Sequence, residues 1–210
     1  MMPMEPLLST YRSIAQGGWI MIPISFCSIA SIALIVERAI ALRSASLAPR
    51  GIVDSVRALI RERKVSEAQA LCRATPSAAG RVLVSGLSVL DLDRNVVVDE
   101  FERAAKQESI RMEAGLTLLG TLAAGGPLLG LFGTVTGMIR TFSAIRTAGI
   151  GDPLQLSAGI SEALLSTAGG MVVGIPALVF HRYFLRKIDE NLAVIEDLCQ
   201  DALLYLKDRA

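Results

Sequence analysis

Residues 114–139 read AGLTLLGTLAAGGPLLGLFGTVTGMI, a run of 26 residues without a charged side chain. About 20 consecutive apolar residues span a bilayer as a helix, so this run is long enough to cross with some tilt. A second run, residues 153–180, contains a single ionisable side chain, Glu162. A third, uncharged run covers residues 17–36 and opens near Trp19, a residue type enriched at membrane interfaces. The sequence therefore predicts three transmembrane helices.

The composition indicates an all-α integral membrane protein with long cytoplasmic helical extensions. Of the 210 residues, 52% are hydrophobic, the mean hydropathy is +0.50, and no strand pattern persists between the apolar blocks. The run at 17–36 is long for a signal peptide and lacks a following small-residue cleavage site, so we expect it to be retained. The formal net charge of +1 gives no indication of nucleic-acid binding.

Charged segments divide the chain between these runs. Residues 37–113 hold 13 Lys or Arg and 11 Asp or Glu. Residues 93–111 contain no Gly or Pro, and we expect this pattern to continue unbroken into the second span as one helix, about 75 Å long. The predicted order is a periplasmic lead (1–16), first transmembrane helix (17–36), cytoplasmic helical segment (37–113), second transmembrane helix (114–139), periplasmic turn (140–152), third transmembrane helix (153–180) and cytoplasmic C-terminal helix (181–210).

The distribution of Lys and Arg predicts the orientation, because these residues are enriched in cytoplasmic loops. With the N-terminus outside and the C-terminus inside, 18 of the 21 basic residues lie in the cytoplasm. The inverted topology would place the same 18 outside. We therefore expect a periplasmic N-terminus and a cytoplasmic C-terminus.

The apolar runs are rich in small residues, which let helices approach closely where the hydrophobic effect no longer drives them together. Six glycines have the small-xxx-small spacing in three pairs: Gly126 with Gly130, Gly133 with Gly137, and Gly170 with Gly174. We expect these faces to pack against other helices, and we expect Gly133 and Gly170 to contribute to contacts between subunits.

Glu162 is the main candidate for a functional side chain. A charged group near the centre of a transmembrane helix costs about 2.5–3.5 kcal/mol, so such residues usually face a bundle interior or a water path. If the helix begins near Pro153, Glu162 lies about 14 Å along it, close to the middle of the bilayer. Desolvation there would favour the neutral form and allow the side chain to accept and release a proton. The alternative is a later helix start, with Glu162 as an interfacial first-turn acid.

The remaining residues indicate no enzyme. The run at 125–133 is rich in Gly but lacks the Lys and the Ser or Thr of a phosphate loop. The cysteines Cys27, Cys72 and Cys199 are far apart, and the single histidine, His181, is interpreted as an interfacial anchor. We therefore expect no catalytic residues, no metal site and no cofactor.

Two long motifs are similar to a known family. They are GGPLLGLFGTVTGMI at residues 125–139 and GISEALLSTAGGMVVGIPALV at residues 159–179. Both resemble the ExbB/TolQ/MotA proton-channel family and are most similar to its ExbB branch. Residues 17–38 also resemble ExbB, whereas the segment 49–110 resembles it only in general character and not through a specific motif.

The resemblance implies a homopentamer in the bacterial inner membrane, whose second and third spans line a pore occupied by a dimer of an ExbD-like single-span partner. Proton flow would drive a TonB-like protein that energises outer-membrane receptors. By position, the family's pore threonines fall on Thr134 and Thr167, and its membrane glutamate falls on Glu162. Thr136 departs from the pattern, because ExbB proteins often carry a bulky aromatic residue there. A TolQ-like role in envelope integrity and a non-conducting membrane scaffold remain as alternatives.

Overall fold

A computed structural model of the chain describes residues 18–44, 50–75, 77–148 and 153–207. Within these ranges the chain forms helices and no strand. The helices are α1 (Met21–Ser44), α2 (Arg50–Arg61), α3 (Val65–Ala74), α4 (Ala78–Leu87), α5 (Arg94–Glu113), α6 (Leu116–Ala148) and α7 (Pro153–Lys207).

Three of these helices are long and apolar enough to cross a membrane. The candidate spans are Met21–Leu42 in α1, Leu116–Thr147 in α6 and Leu156–Leu204 in α7. The predicted all-α fold with three membrane-spanning helices is therefore confirmed at the level of helix length and composition.

The helices extend beyond the predicted spans. The 33 residues of α6 continue past residue 139, and the 55 residues of α7 include both the third predicted span and the predicted C-terminal helix. The predicted lead at 1–16 and most of the turn, residues 149–152, lie outside the described residues. The periplasmic and cytoplasmic assignments stay predictions.

The predicted continuous helix from residue 93 into the second span is wrong. Helix α5 ends at Glu113, and Ala114 has φ −50° and ψ 131°, outside the helical region. Gly115 follows with φ +77°, a conformation that only glycine adopts at low cost. Glycine at this position therefore lets the chain end one helix and begin α6 at Leu116.

The described chain divides into two compact units. The first, here called the membrane unit, comprises Met1–Val36 and Thr117–Arg182. The second, called the helical unit, comprises Glu37–Leu116 and Tyr183–Ala210. Each unit is described separately below.

In the membrane unit, α6 and α7 form an antiparallel hairpin with a constant register. Residues that meet across the hairpin lie at nearly equal distances from chain positions 150–151. Five such pairs are Gly120 with His181, Gly126 with Gly174, Thr134 with Thr167, Gly137 with Ala163, and Arg140 with Glu162. Every position of α6 in the contact therefore has a defined partner in α7.

Helix α1 packs on this hairpin through its first turns. Ile20, Met21 and Ile24 form a buried apolar cluster with Val173 of α7. Since residues of α1 and α7 meet in increasing order, α1 runs parallel to α7 and antiparallel to α6. The beginning of α1 therefore lies at the same end of the unit as Arg140 and Glu162.

The helical unit has its own apolar core, formed by one face of each of its helices. Its most deeply buried large side chains are Val56, Ile60, Val82, Leu83, Val97, Leu116, Ile188, Ile195 and Leu198. The ring of Phe101 on α5 occupies the space that a side chain at Gly86 on α4 would need. Arg57 donates to Asp201 at 2.5 Å, which joins α2 to the last part of α7.

A buried carboxylate connects two helices of the same unit. Glu108 on α5 is 3% exposed and accepts hydrogen bonds from Arg81 Nε at 2.9 Å, Arg81 Nη2 at 2.5 Å and Arg111 Nη1 at 2.7 Å. Burial alone would raise the pKa of Glu108, but the hydrogen bonds and charges of the two arginines outweigh it and hold the pKa below its usual range. The carboxylate therefore stays ionised and holds α4 against α5.

Candidate functional site

The six glycines with small-xxx-small spacing lie where α6 and α7 meet. An ideal Cβ on Gly170 would lie 2.5 Å from the Gly126 carbonyl oxygen, and one on Gly130 would lie 2.9 Å from the Ser166 carbonyl oxygen. A Cβ on Gly174 would lie 2.5 Å from Pro127 Cδ. These separations are too short for any side chain, so the two backbones touch directly.

Gly133 and Gly137 belong to the same face. The space beside Gly133 is filled by Ser166 of α7 and by Ile20, and a Cβ on Gly137 would lie 3.0 Å from Ala163 Cβ. The predicted close packing is therefore present, but it occurs between helices of one chain. The expectation that Gly133 and Gly170 contribute to contacts between subunits stays a prediction, and the space beside both glycines is occupied within the chain.

This close approach brings Thr134 and Thr167 together. Their hydroxyl oxygens are 2.9 Å apart. The hydroxyl of Thr167 also donates to the Gly130 carbonyl at 3.1 Å, and that of Thr134 donates to the Leu131 carbonyl at 2.8 Å. A side chain at position 130 would separate the helices, so the glycine is what lets the two threonines meet.

The threonine pair has more acceptors than protons. Each hydroxyl carries a single hydrogen, while two backbone carbonyls and the two hydroxyl oxygens themselves can accept it. One hydroxyl can thus redirect its proton between a carbonyl and the other hydroxyl without moving any heavy atom. Such a pair can order a water molecule or hydrogen-bond a carboxyl group from a partner.

Thr136 and Ser166 donate hydrogen bonds to carbonyls of their own helices. Thr136 donates to the carbonyls of Phe132 and Gly133, and Ser166 donates to the Glu162 carbonyl at 3.1 Å. Within the described residues, Thr136 therefore makes no side-chain hydrogen bond to α7, in contrast to Thr134.

Glu162 does not contact the threonine pair in this structure. Its Oε1 atom lies 3.4 Å from Arg140 Nη1 on α6, and its side chain is 33% exposed. The same oxygen occupies the space that a Cβ on Gly18 would need, just before α1 begins. Three parts of the membrane unit thus converge on the carboxylate, which lies five residues before Thr167 and on another side of α7.

The neighbours of Glu162 define its level along the hairpin. Helix α7 begins at Pro153, and both α6 and α7 extend about two turns beyond the level of Gly18. Glu162 lies beside Gly18, and His181 lies against Gly120. The 19 residues from Glu162 to His181 correspond to about 28 Å of helix. The predicted depth of Glu162 in a bilayer stays a prediction.

Sequence reasoning missed Arg140 and Gly18 as neighbours of the carboxylate. Arg140 could have been found from the register, because it and Glu162 are equally far from position 151, in the predicted turn. Gly18 carries no such signal, since its contact depends on how α1 packs against the hairpin.

Comparison with known proteins gives an independent result. Residues 74–197 match the model of the MotA/TolQ/ExbB proton channel family. The matched region is 124 residues long and covers more than half of the chain. It includes both motifs of α6 and α7, with Thr134, Glu162 and Thr167.

Three curated proteins illustrate the similarity. An ExbB-like biopolymer transport protein of Synechocystis is 35% identical over 80% of this chain and 67% of its own length. The biopolymer transport protein ExbB of Pseudomonas putida is 34% identical over 52% of this chain and 33% of its own length. That of Aquifex aeolicus is 33% identical over 47% of this chain and 66% of its own length.

The matching family model covers the helical hairpin, and the three relatives carry ExbB or ExbB-like names. The structure supplies the three long apolar helices that a membrane channel subunit needs. On these grounds the chain belongs to the MotA/TolQ/ExbB proton channel family.

Proposed function

We propose that this chain is the proton-channel and stator subunit of an ExbB–ExbD-type motor in the bacterial inner membrane. The motor would use the proton motive force to energise TonB-dependent transport across the outer membrane. The observation that carries the proposal is the 2.9 Å contact between Thr134 and Thr167, the two positions that resemble the family's pore threonines. Glu162, on the same hairpin, supplies the titratable group.

Exposed apolar side chains support an assembly of several chains. Large side chains on α6 and α7 are half exposed or more on the faces away from the hairpin contact. They include Leu128, Leu131, Val135, Ile139, Phe142, Leu164, Val172 and Ile175. Lipid or other helices must cover these faces, because water would not solvate them favourably. We propose a homopentamer around a dimer of an ExbD-like single-span subunit, with a TonB-like protein as the recipient of the work.

The proposed path uses Glu162 for proton exchange and the threonine hydroxyls for orientation. Neither threonine can carry charge at neutral pH, but both can donate and accept a hydrogen bond. A carboxyl group on the single-span partner could therefore bond to the threonine pair while Glu162 exchanges a proton with water.

The test compares Glu162→Gln with Glu190→Gln in cells that express each variant at equal level. Both substitutions remove one carboxylate from α7, but Glu190 lies in an exposed ion pair with Arg186 in the helical unit. Energy-dependent uptake through outer-membrane receptors should be lost in Glu162→Gln and kept in Glu190→Gln, with the assembled oligomer intact in both. Full uptake in Glu162→Gln, with no new sensitivity to detergent, would end the proton-path idea and favour the scaffold alternative.

The TolQ-like alternative predicts a different phenotype from the same variant. If the chain serves envelope integrity, Glu162→Gln should sensitise cells to detergent and leave receptor-dependent uptake unchanged. Loss of uptake without detergent sensitivity would favour the ExbB-like role.

A further inference from the structure

Glu162 and Arg140, which form an ion pair, are the only two charged side chains in a large apolar part of the sequence. Among residues 114–140 and 153–180 no other Lys, Arg, Asp or Glu occurs. The two side chains come from different helices and meet at 3.4 Å. Charged groups are costly in such surroundings unless they are paired or hydrated, so each stabilises the other there.

The beginning of α1 covers the carboxylate from a second side. Gly18 has φ +71° and no side chain, and the Oε1 atom of Glu162 occupies the space beside it. Trp19 packs edge-to-face against Phe132 of α6, with ring centroids 6.4 Å apart, which holds this part of the chain in place. Arg140 on α6 and the backbone of Gly18 before α1 thus define the position of the carboxylate. Of these two neighbours, only Arg140 carries a charge.

This position is separate from the threonine pair. Five helical residues correspond to a rotation of about 140° between the side chains of Glu162 and Thr167. Thr167 is directed at Gly130 and Thr134, whereas Glu162 is directed at Arg140. The carboxylate must therefore leave Arg140 before it can approach the threonine pair or a group bound there.

We propose that Arg140 is a positioning residue, which holds the ionised Glu162 carboxylate over Gly18 and lets it go when it takes up a proton. The inference rests on the proposed function, in which Glu162 exchanges protons. An ionised carboxylate is attracted to the guanidinium, and a protonated one is not. The pair is partly exposed and 3.4 Å long, so it is weak enough to break in each cycle. Arg140 thereby links the position of the side chain to its charge.

The test measures the carboxylate directly, by its reaction with dicyclohexylcarbodiimide, which attacks protonated carboxyl groups in apolar surroundings. The full-length protein in membranes is labelled at pH 7, and the rate at Glu162 is followed by mass spectrometry, with Glu190 in its exposed ion pair as the carboxylate that should stay unlabelled. Arg140→Gln should raise the rate about threefold to fivefold, in keeping with the loss of a partly exposed ion pair. Arg140→Lys retains a cation and should keep the rate near that of the unsubstituted protein.

Arg146→Gln is the matched control. It removes the same charge from α6, six residues away and about 120° around the helix. Its labelling rate should equal that of the unsubstituted protein. An equal rise in Arg146→Gln and Arg140→Gln would mean a general effect of charge and would overturn the proposal.

Gly18→Ala provides a second route if Arg140→Gln fails to accumulate. The added Cβ would displace the carboxylate, so labelling should again rise. Unchanged labelling in Arg140→Gln or in Gly18→Ala would overturn the positioning role. If Glu162→Gln still abolishes uptake, the proposed function then stands without it. Raised labelling together with full uptake and no detergent sensitivity in Glu162→Gln would instead remove the motor function, and with it the role of Arg140 in proton release.

Discussion

The hydroxyl oxygens of Thr134 and Thr167 lie 2.9 Å apart, although 33 residues separate them in the chain. They meet because Gly130 lets the backbones of α6 and α7 touch, and because both residues are nearly equidistant from the connection between the helices. The contact joins the two threonines of the family motifs into one polar site within an otherwise apolar hairpin. The chemistry of this polar site depends on two hydroxyl groups, and a single substitution can remove either one.

Thr134→Val and Thr167→Val should each reduce proton-dependent work. Valine nearly preserves the shape but removes the hydroxyl, and a hydrogen bond between transmembrane helices contributes about 0.6 kcal/mol on average. Stability should therefore change little while the polar site is lost. The measurement is energy-dependent uptake at equal expression, with thermal stability of the purified protein recorded alongside.

Thr136→Val is the control for these two variants. In the part of the chain that the structure describes, the Thr136 hydroxyl bonds only to carbonyls of α6, so its loss should matter less. If Thr136→Val reduced uptake as much as Thr134→Val, the pairing across the hairpin would not be the relevant property.

Gly170→Leu should destabilise the individual chain rather than only its assembly. The new side chain would start 2.5 Å from the Gly126 carbonyl and would force α6 and α7 apart. Gly125→Leu is the matched control, because an ideal Cβ there has no neighbour within 4 Å. The thermal unfolding temperature in detergent should fall clearly for Gly170→Leu and much less for Gly125→Leu. Equal unfolding temperatures for the two variants would contradict packing within the chain.

Glu108→Gln should lower the free energy of unfolding at neutral pH and should make that free energy depend less on pH in the acidic range. The substitution leaves Arg81 and Arg111 without their buried partner, at a cost of about 1–3 kcal/mol after allowance for the exposure of both arginines. Because the pKa of Glu108 is lowered in the folded state, its contribution is complete above the ordinary value of 4.5 and is lost as pH falls through the folded-state value.

Chemical denaturation of the purified protein between pH 3 and pH 7 measures this difference. The gap between the unsubstituted protein and Glu108→Gln should close below about pH 4.5. Glu190→Gln, which breaks an exposed pair with Arg186, should leave the curve nearly unchanged. A gap of constant size at every pH would show that ionisation of Glu108 is not its cause.

The topology predicted from the Lys and Arg distribution can be tested by cysteine labelling. In a background without native cysteines, a membrane-impermeant reagent should reach Gly149→Cys in intact cells and miss Lys64→Cys and Gln200→Cys. Labelling of Lys64→Cys from outside would rule out three spans with a periplasmic N-terminus. Cys72 and Cys199 are buried, so the cysteine-free background should carry small residues at these two positions in order to fold normally.

The sequence by itself determined the elements that depend on local composition. Uncharged runs such as 114–139 predict helices that can span a membrane, because this capacity depends on length and hydropathy. The spacing of Gly126 and Gly130 likewise predicted close contact between helices, because the absence of a side chain is a local property of each glycine. Family motifs added Thr134, Glu162 and Thr167 as residues of interest.

Only the tertiary structure decided which groups meet. The glycine faces could have served contacts within or between chains, and the register of the hairpin assigns them to contacts within the chain. The same register pairs Glu162 with Arg140, while the packing of α1 places Gly18 beside the carboxylate. The burial of Glu108 is likewise a product of packing. Each of these depends on contacts between residues distant in sequence, and helical periodicity describes only neighbours along one helix.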